Sequence, residues 1–390
     1  MKKEEMVQYA YKNTQFYNKK YQNVKQGSEW EELPISTKAE IAHAGISIIS
    51  RQYFSEIGGD KILKEFTSGS CGESLELYTS LAEQNTEAIP LWNYRKKYYG
   101  IFPSDPFCFF FTAHISDENV PYKYIKKGMG ISKEYLCEAN ISQIYQAISS
   151  FQPKWLLLQP SIAMTLARYV VESGVPVISS MKYIEVTGEV LSERERLFIE
   201  NVFEVNIASQ YGCNEVGSIA YQCPYGNHHI MKDNVFVETT CNNEIIVTSR
   251  HNKIMPFIRY NIGDIGYIEN STCVCGNDSA ILRLQGTRKD DKVLLESGEI
   301  ISANIFRQIF FKTAEIIDGR IYQYGVVQTG TSEFEISFAT NETPENIERI
   351  FEMCVSETIL KGSIFKYHYY TYMFPNKKTG KLKFFTNLLL

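Results

Sequence analysis

Between residues 60 and 220 the chain alternates short apolar runs with longer stretches in which apolar residues return every three or four positions. "PFCFFFTA", "KWLLLQP" and "MKYIEVTGE" have the length and the aromatic and β-branched content of buried strands. "KEYLCEANISQIYQAISSF" and "SIAMTLARYVVESG", which separate them, keep a helical period. This strand–helix alternation predicts an α/β layered domain. Ahead of it, the first 25 residues are polar with a helical pattern, and in "ELPISTKAEI" Pro34 and Ser36 mark a loop and a helix start. "VFVETT" and "EIIVTSR", with turn residues between them, predict a β-rich section closing the large domain.

The charged, glycine-containing "GTRKDDK" at 286–292 reads as a linker. Beyond it the strand-like "FEISFAT" and helix-like "ENIERIFEMCVSETIL" predict a small α+β domain. The expected fold class is α/β, with a large layered domain over residues 1–288 and a small α+β domain over 289–390. No internal repeat or low-complexity tract is present.

Composition narrows the partners. A chain of 390 residues, 44% hydrophobic and 22% charged, can bury a sizeable core and is not of disordered composition. A net charge of −5 argues against bulk nucleic-acid binding, which shows as a basic excess. No apolar run approaches the roughly 18 residues of a membrane span, and "MKKEEMVQYAYKNTQFYNKKYQ" has no signal-peptide core. Nine cysteines without framework spacing fit a reducing compartment. The expectation is a cytoplasmic protein with no membrane partner. Twenty-six tyrosines and twenty-three phenylalanines suggest large buried surfaces and, as a second reading, aromatic-lined pockets.

"FTSGSCGES" at 66–74 has almost no apolar surface to bury. A nucleotidase P-loop needs Gly-Lys-Ser/Thr, but Gly72 precedes Glu73. A hydrolase elbow needs Gly-x-Ser-x-Gly, which Gly69-Ser70-Cys71-Gly72 does not match. Two readings remain: an ordinary surface turn, or a Ser/Thr/Gly loop whose amides and hydroxyls wrap the phosphates of ATP.

This loop is followed, in order, by "SQYGCNEVGS" (209–218), "IRYNIGDIG" (258–266), "GTRKDDK" (286–292) and "PNKKTGKLKFF" (375–385). The series resembles the ordered motifs of adenylate-forming enzymes, the superfamily of acyl- and aryl-CoA ligases, carrier-loading adenylation domains and luciferases. The resemblance covers nearly the whole chain and is closest to the phenylacetate–CoA ligase-like branch, with its capsule-biosynthesis-type homologues. "LPISTKAEI", "LLLQPSIAMTLARYV" and "TGEVLSERER" support that branch.

The resemblance implies an adenylation domain, a mobile C-terminal lid, and ATP and Mg2+ as cofactors. Thr67, Ser68, Gly69, Ser70 and Gly72 would form the triphosphate cradle. Glu215 matches the acidic residue that helps hold Mg2+, against the plainer and less favoured reading of a surface helix cap. Tyr211 and Gly212 would line the adenine and acyl pockets, and Asn214 stands where the family usually has Thr. Asp264 matches the residue that accepts hydrogen bonds from both ribose hydroxyls, a geometry suited to a bidentate carboxylate. Arg259 could serve as a structural ion-pair partner. Arg288 resembles the arginine near ribose and phosphates, and Asp290 the hinge of the lid. The family spacing Gly-Arg-x-Asp-Asp is interrupted here by Thr287, which puts Gly286 in doubt. Lys381 would be the mobile lysine that bridges carboxylate and α-phosphate, against the plainer reading of a solvated tail lysine. Many relatives carry a lysine after the second glycine of the phosphate loop, where Glu73 and Ser74 stand here.

"QCPYGNHHI" and "TCVCGN" hold Cys223, His229, Cys273 and Cys275, a tetrahedral sulfur-and-nitrogen donor set with Gly226 and Gly276 in the turns. Spacing alone weighs this evenly against four ordinary side chains, with His228 as a competing ligand. Some members of the branch carry zinc at such a pattern, which implies structural Zn2+ here.

The leading function is an ATP-dependent ligase: a carboxylic acid, expected to be aromatic, gives an acyl-adenylate, and its acyl group passes to a thiol (CoA or a carrier protein) or an amine. The alternative is a catalytically decayed, zinc-stabilised nucleotide-binding protein. The absent loop lysine and Asn214 favour it; Glu215, Asp264, Arg288 and Lys381 together oppose it. A zinc-ribbon nucleic-acid binder fails on charge and chain size.

Overall fold

Local signals set most element ends. Thr37 caps the helix Lys38–Ala44, its hydroxyl accepting from the Glu40 N–H while the Glu40 carboxylate accepts from the Thr37 N–H. The cap thus lies one residue beyond Ser36, which instead bridges in parallel to Tyr260. Ser192 and Glu195 form the same box at the start of the helix Glu193–Phe203. Pro160, which has no N–H to lose, opens the helix Pro160–Ser173, and Gly174 ends it in the left-handed conformation. The expected helix from Lys133 is split: Lys133–Tyr135 forms a single 3-10 turn, and the α-helix runs only over Ile141–Phe151.

The computed structural model describes residues 1–24, 30–67, 75–112, 121–288, 291–318, 321–377 and 380–390. They fall into two compact units, Met1–Asp105 with Ala208–Gly286, and Pro106–Ile207 with Thr287–Leu390.

In the first unit, seven strands follow the spatial order Val235–Thr239, Glu244–Ser249, Tyr260–Glu269, Ile281–Arg288, His228–Ile230, Gly217–Gln222, Asn206–Cys213. The "VFVETT" and "EIIVTSR" segments pair antiparallel, Val237 opposite Val247. The N-terminal helices Lys3–Asn13 and Gln15–Lys20 bury Met6, Ala10 and Tyr17 against Val247, Phe257 and Tyr260. A separate two-stranded sheet pairs Leu63–Phe66 antiparallel with Glu76–Thr79.

In the second unit, the strands Tyr183–Thr187, Trp155–Leu158, Phe107–Phe111 and Gly128–Ser132 are parallel neighbours, with Tyr122–Ile125 antiparallel at the edge. The helices Ile141–Phe151, Pro160–Ser173 and Glu193–Phe203 pack on them, burying Ile144, Ile148, Ile162, Leu166 and Ile199. This is the alternation legible in the sequence. The rings of Phe107, Phe109 and Phe111 stack along one face over Gly128 and Gly130; a Cβ on Gly130 would lie 2.8 Å from the Phe109 ring.

The rest of this unit is a four-stranded sheet, Ile364–Tyr370, Glu333–Thr340, Ile321–Gly330, Phe385–Asn387, under the helices Asn304–Ile316 and Pro344–Val355. Phe306, Phe310, Phe338 and Phe351 fill the space between, each fully buried aromatic contributing about 1.5–3 kcal/mol. Within the "GTRKDDK" stretch one strand ends at Arg288 and another, Lys292–Leu294, begins at Lys292.

Candidate functional site

The strand Asn206–Cys213 turns sharply into Gly217–Gln222, with Asn214 exposed and Glu215 buried in the turn. The turn is tight enough that a Cβ on Gly212 would overlap the Gly217 carbonyl, so packing alone demands glycine there. Glu215 Oε1 accepts from the Tyr260 hydroxyl at 3.0 Å, and its backbone carbonyl accepts from Asn252 Nδ2 at 2.9 Å. A buried carboxylate held by one phenol, at only 8% exposure, is no helix cap.

Tyr211 donates its hydroxyl to Asp264 Oδ2 at 2.8 Å. Cys213 lies close to both carboxylates: burial raises its thiol well above the usual range, and Glu215 and Asp264 raise it further. Tyr211, Glu215 and Asp264 are therefore neighbours, joined by Tyr260 and Cys213, which no motif reading singles out. Two carboxylates on adjoining segments are suited to a hard cation and to hydroxyl donors. Their fit to Mg2+ rests on the donor chemistry of Glu215.

Thr67 closes the base of the small-residue loop, its hydroxyl accepting from the Leu75 N–H at 2.9 Å and its own N–H donating to the Leu75 carbonyl at 3.0 Å. Ser68, Gly69, Ser70 and Gly72 lie outside the described residues, as does Asp290. Arg259 has the structural role left open for it. Its guanidinium donates to Glu238 at 2.5 Å, to the Glu31 carbonyl at 2.7 Å and to the Leu33 carbonyl.

In the second unit, the Arg288 N–H donates to Asp291 Oδ2 at 3.2 Å. Lys381 follows a loop closed by two backbone bonds, Gly380 N–H to the Asn376 carbonyl at 2.7 Å and Asn376 N–H to the Lys381 carbonyl at 3.0 Å. Its side chain runs past Gly188, where a Cβ would lie 3.7 Å from Lys381 Cε. It is not a solvated tail lysine: it is half-buried, and its charge acts on Lys133. The Lys133 ammonium is lowered to about 8, chiefly by burial; Glu189 opposes the shift and Lys381 adds to it. Nothing in the pattern around Lys133 gave it away. Glu189 sits in "TGEVL", legible as a motif but not as a role.

Cys223, His229, Cys273 and Cys275 converge in the first unit, their donor atoms all within 4.8 Å of one another. Cys223 and Cys273 sulfurs are 3.8 Å apart, the edge that Zn–S bonds of about 2.3 Å set in a tetrahedron. Cys275 Sγ is 3.1 Å from His229 Nε2. His229 Nδ1 lies 3.0 Å from the Ser279 carbonyl; a proton donated there leaves Nε2 for a metal. Gly226 and Gly276 take positive φ in the turns after Cys223 and Cys273–Cys275. His229, and not His228, is the imidazole of the group. A closed set of four such donors fits a structural ion with no open position.

No protein-family model matches the chain. It is 25% identical over 345 residues to Protein CapK of Staphylococcus aureus, covering 82% of this chain and 74% of that protein. It is 23% identical over 212 residues to the phenylacetate–coenzyme A ligase of Thermus thermophilus, a match spanning about half of each (50% and 47%). Among solved structures, it superposes on 2-hydroxyisobutyryl-CoA ligase in the postadenylation state, bound to R3-HIB-AMP, with a TM-score of 0.75 and 15% identity, over 98% of this chain and 87% of that one. The α/β architecture with its small α+β C-terminal part is thus the fold of adenylate-forming enzymes, and within that superfamily the chain is similar to phenylacetate–CoA ligase-like and capsule-biosynthesis-type proteins.

Proposed function

We propose that this enzyme activates a carboxylic acid with ATP, releasing pyrophosphate, and transfers the acyl group from AMP to a thiol or an amine. In the first half-reaction a carboxylate oxygen bonds to the α-phosphorus as the bond to pyrophosphate breaks. In the second, the acceptor bonds to the acyl carbon and AMP leaves with the former carboxylate oxygen. Both reactants of the first step are anions, so catalysis is neutralisation and alignment.

The observation that carries this reading is the Tyr211–Asp264 hydrogen bond: two motifs 53 residues apart, each given a nucleotide role by resemblance alone, meet through their functional side chains. Asp264 accepts from the ribose hydroxyls, and Tyr211 fixes its carboxylate. Glu215, held by Tyr260, is the residue that would hold Mg2+, which supplies charge neutralisation at the phosphates when bound. Thr67, Ser68, Gly69, Ser70 and Gly72 cradle the phosphates, Gly212 and Asn214 border the acyl and phosphate sites, and Arg288 faces ribose and phosphates. Lys381 bridges the entering carboxylate and the α-phosphate. Residues 289–390 act as the lid domain on 1–288, with Asp290 as hinge. Cys223, His229, Cys273 and Cys275 hold a structural Zn2+.

The proposed acid is aromatic, supported by the phenylacetate–CoA ligase relative. The proposed acceptors are CoA, a carrier-protein thiol or an amine, and the proposed compartment is the cytoplasm. Among the described residues no helix is long and apolar enough to cross a membrane.

The test is carboxylate-dependent exchange of labelled pyrophosphate into ATP across aryl, hydroxy and fatty acids, with Lys381→Ala alongside. Exchange with one acid class, reduced about 10²–10³-fold in the variant, is the expected result. ATP binding without exchange for any acid would favour the decayed binder.

A further inference from the structure

Lys381 is bracketed by two side chains that the reading above gives no role. On one side, Glu189 spans two backbone donors: Oε1 accepts from the Leu382 N–H at 2.7 Å and Oε2 from the Ser161 N–H at 3.0 Å. Ser161 is in the first turn of the helix Pro160–Ser173, where N–H groups have no intrahelical partner and the helix end favours an anion. On the other side, Lys133 Nζ donates to the Gly380 carbonyl at 3.2 Å. The peptide groups immediately before and after Lys381 are therefore held by opposite charges. A Cβ on Gly380 would overlap Thr112 Oγ1 and lie 3.0 Å from Lys133 Nζ, so the backbone is pressed against this support.

The same helix holds the C-terminal segment a second time. Arg168, 1% exposed, donates to the Thr371 carbonyl and to Asn341 Oδ1 at 3.2 Å. Its guanidinium lies 4.3 Å from the Tyr322 ring centroid and 5.1 Å from that of Tyr372. Arg168 anchors the segment; Glu189 and Lys133 fix the few atoms around Lys381.

We propose that Glu189 and Lys133 are positioning residues that clasp residues 380–382 to hold Lys381 for adenylation, with no part in acyl transfer. The inference rests on the adenylation reading for its chemistry, but the clasp itself is a physical contact. Displacing Leu382 would leave the half-buried Glu189 with one N–H donor instead of two, a cost that holds the segment in place. Burial already pushes the Glu189 carboxyl above the usual range, against the pull of its N–H donors and of Lys133. Among the described residues Lys133 is a cation that acts on it, Lys381 acts in turn on Lys133, and the Ser161 and Leu382 amides are its donors.

The test uses the full chain and two readouts. Amide hydrogen exchange in Glu189→Ala should show Leu382 losing protection at least tenfold while amides of the strand Ile321–Gly330 keep theirs. Kinetically, pyrophosphate exchange should fall roughly 10²-fold, the usual consequence of an ångström-scale misplacement. Transfer from separately supplied acyl-adenylate should hold or rise, and Glu189→Gln, which keeps one acceptor, should fall between. If Glu189→Ala does not fold, Lys133→Met releases the Gly380 carbonyl and the same two readouts apply. Unchanged Leu382 protection, or equal losses in both half-reactions, would overturn the clasp. If wild-type protein catalyses neither half-reaction, the adenylation reading fails, and the exchange result still decides whether the clasp exists.

Discussion

The Tyr211 hydroxyl donates to Asp264 Oδ2 at 2.8 Å, tying the turn that carries Glu215 to the strand that carries the carboxylate proposed to bind ribose. Hydrogen bonds to charged groups contribute about 1.5–3 kcal/mol. Tyr211→Phe should therefore raise the KM for ATP roughly tenfold with little change in thermal stability. Asp264→Asn should raise it further, because it weakens the acceptor itself. Steady-state kinetics and a thermal melt of each variant check this; an unchanged KM in both would remove Asp264 from the nucleotide site.

Two glycines with the same φ of +64° separate backbone preference from packing. At Gly174 a Cβ meets nothing within 4 Å; at Gly380 it overlaps Thr112. Gly174→Ala should cost about 1–2 kcal/mol of stability and leave pyrophosphate exchange untouched. Gly380→Ala should displace the Lys381 loop and cut exchange by more than tenfold. Urea unfolding and the exchange assay, run on both, distinguish the two.

The Cys223–His229–Cys273–Cys275 group should bind one zinc per chain, measurable by elemental analysis of protein purified without added metal. Cys273→Ser should lose most of it. A strong chelator should lower the thermal midpoint of the wild type but not of the variant. Asn227→Ala, which removes the amide donor 3.2 Å from Cys273 Sγ, should weaken metal affinity about 10–100-fold. Metal-free protein with a chelator-insensitive midpoint would contradict the site.

Burial raises the Glu87 carboxyl to about 7, with Glu83 and Glu65 adding to the shift. A raised carboxyl means the folded chain keeps a proton that the unfolded chain releases. Its contribution is complete below pH 4.5 and is lost as pH rises through 7, by at most about 3 kcal/mol. Glu87→Gln should flatten this part of the stability–pH curve and stabilise the protein above pH 7. Equal slopes for the two proteins between pH 5 and 7 would contradict it.

Much of the fold was legible because burial leaves a period. "KWLLLQP" and "SIAMTLARYVVESG" announce a strand and a helix through their apolar spacing, and Pro160 and Gly174 punctuate them. Tyr211, Glu215, Asp264 and Lys381 were legible as motif positions, because their neighbours are constrained too. Glu189 and Lys133 were not. Their partners are backbone groups 193 and 247 residues away, and a backbone amide leaves no mark in sequence. Tyr260 and Cys213 hid for a similar reason: each reads as core until Glu215 is seen beside it. Gly212 reads as a ligand-facing glycine, yet the Gly217 carbonyl alone excludes any side chain there.

The most direct test of the central claim follows an oxygen atom. Acid labelled with 18O in both carboxylate oxygens is incubated with enzyme, ATP, Mg2+ and an acceptor, and the AMP produced is weighed by mass spectrometry. Passage through an acyl-adenylate transfers one carboxylate oxygen to phosphorus, so AMP should gain one 18O. AMP formed with the acid present but carrying no label would mean that the carboxylate never bonded to the α-phosphorus, and would contradict adenylation.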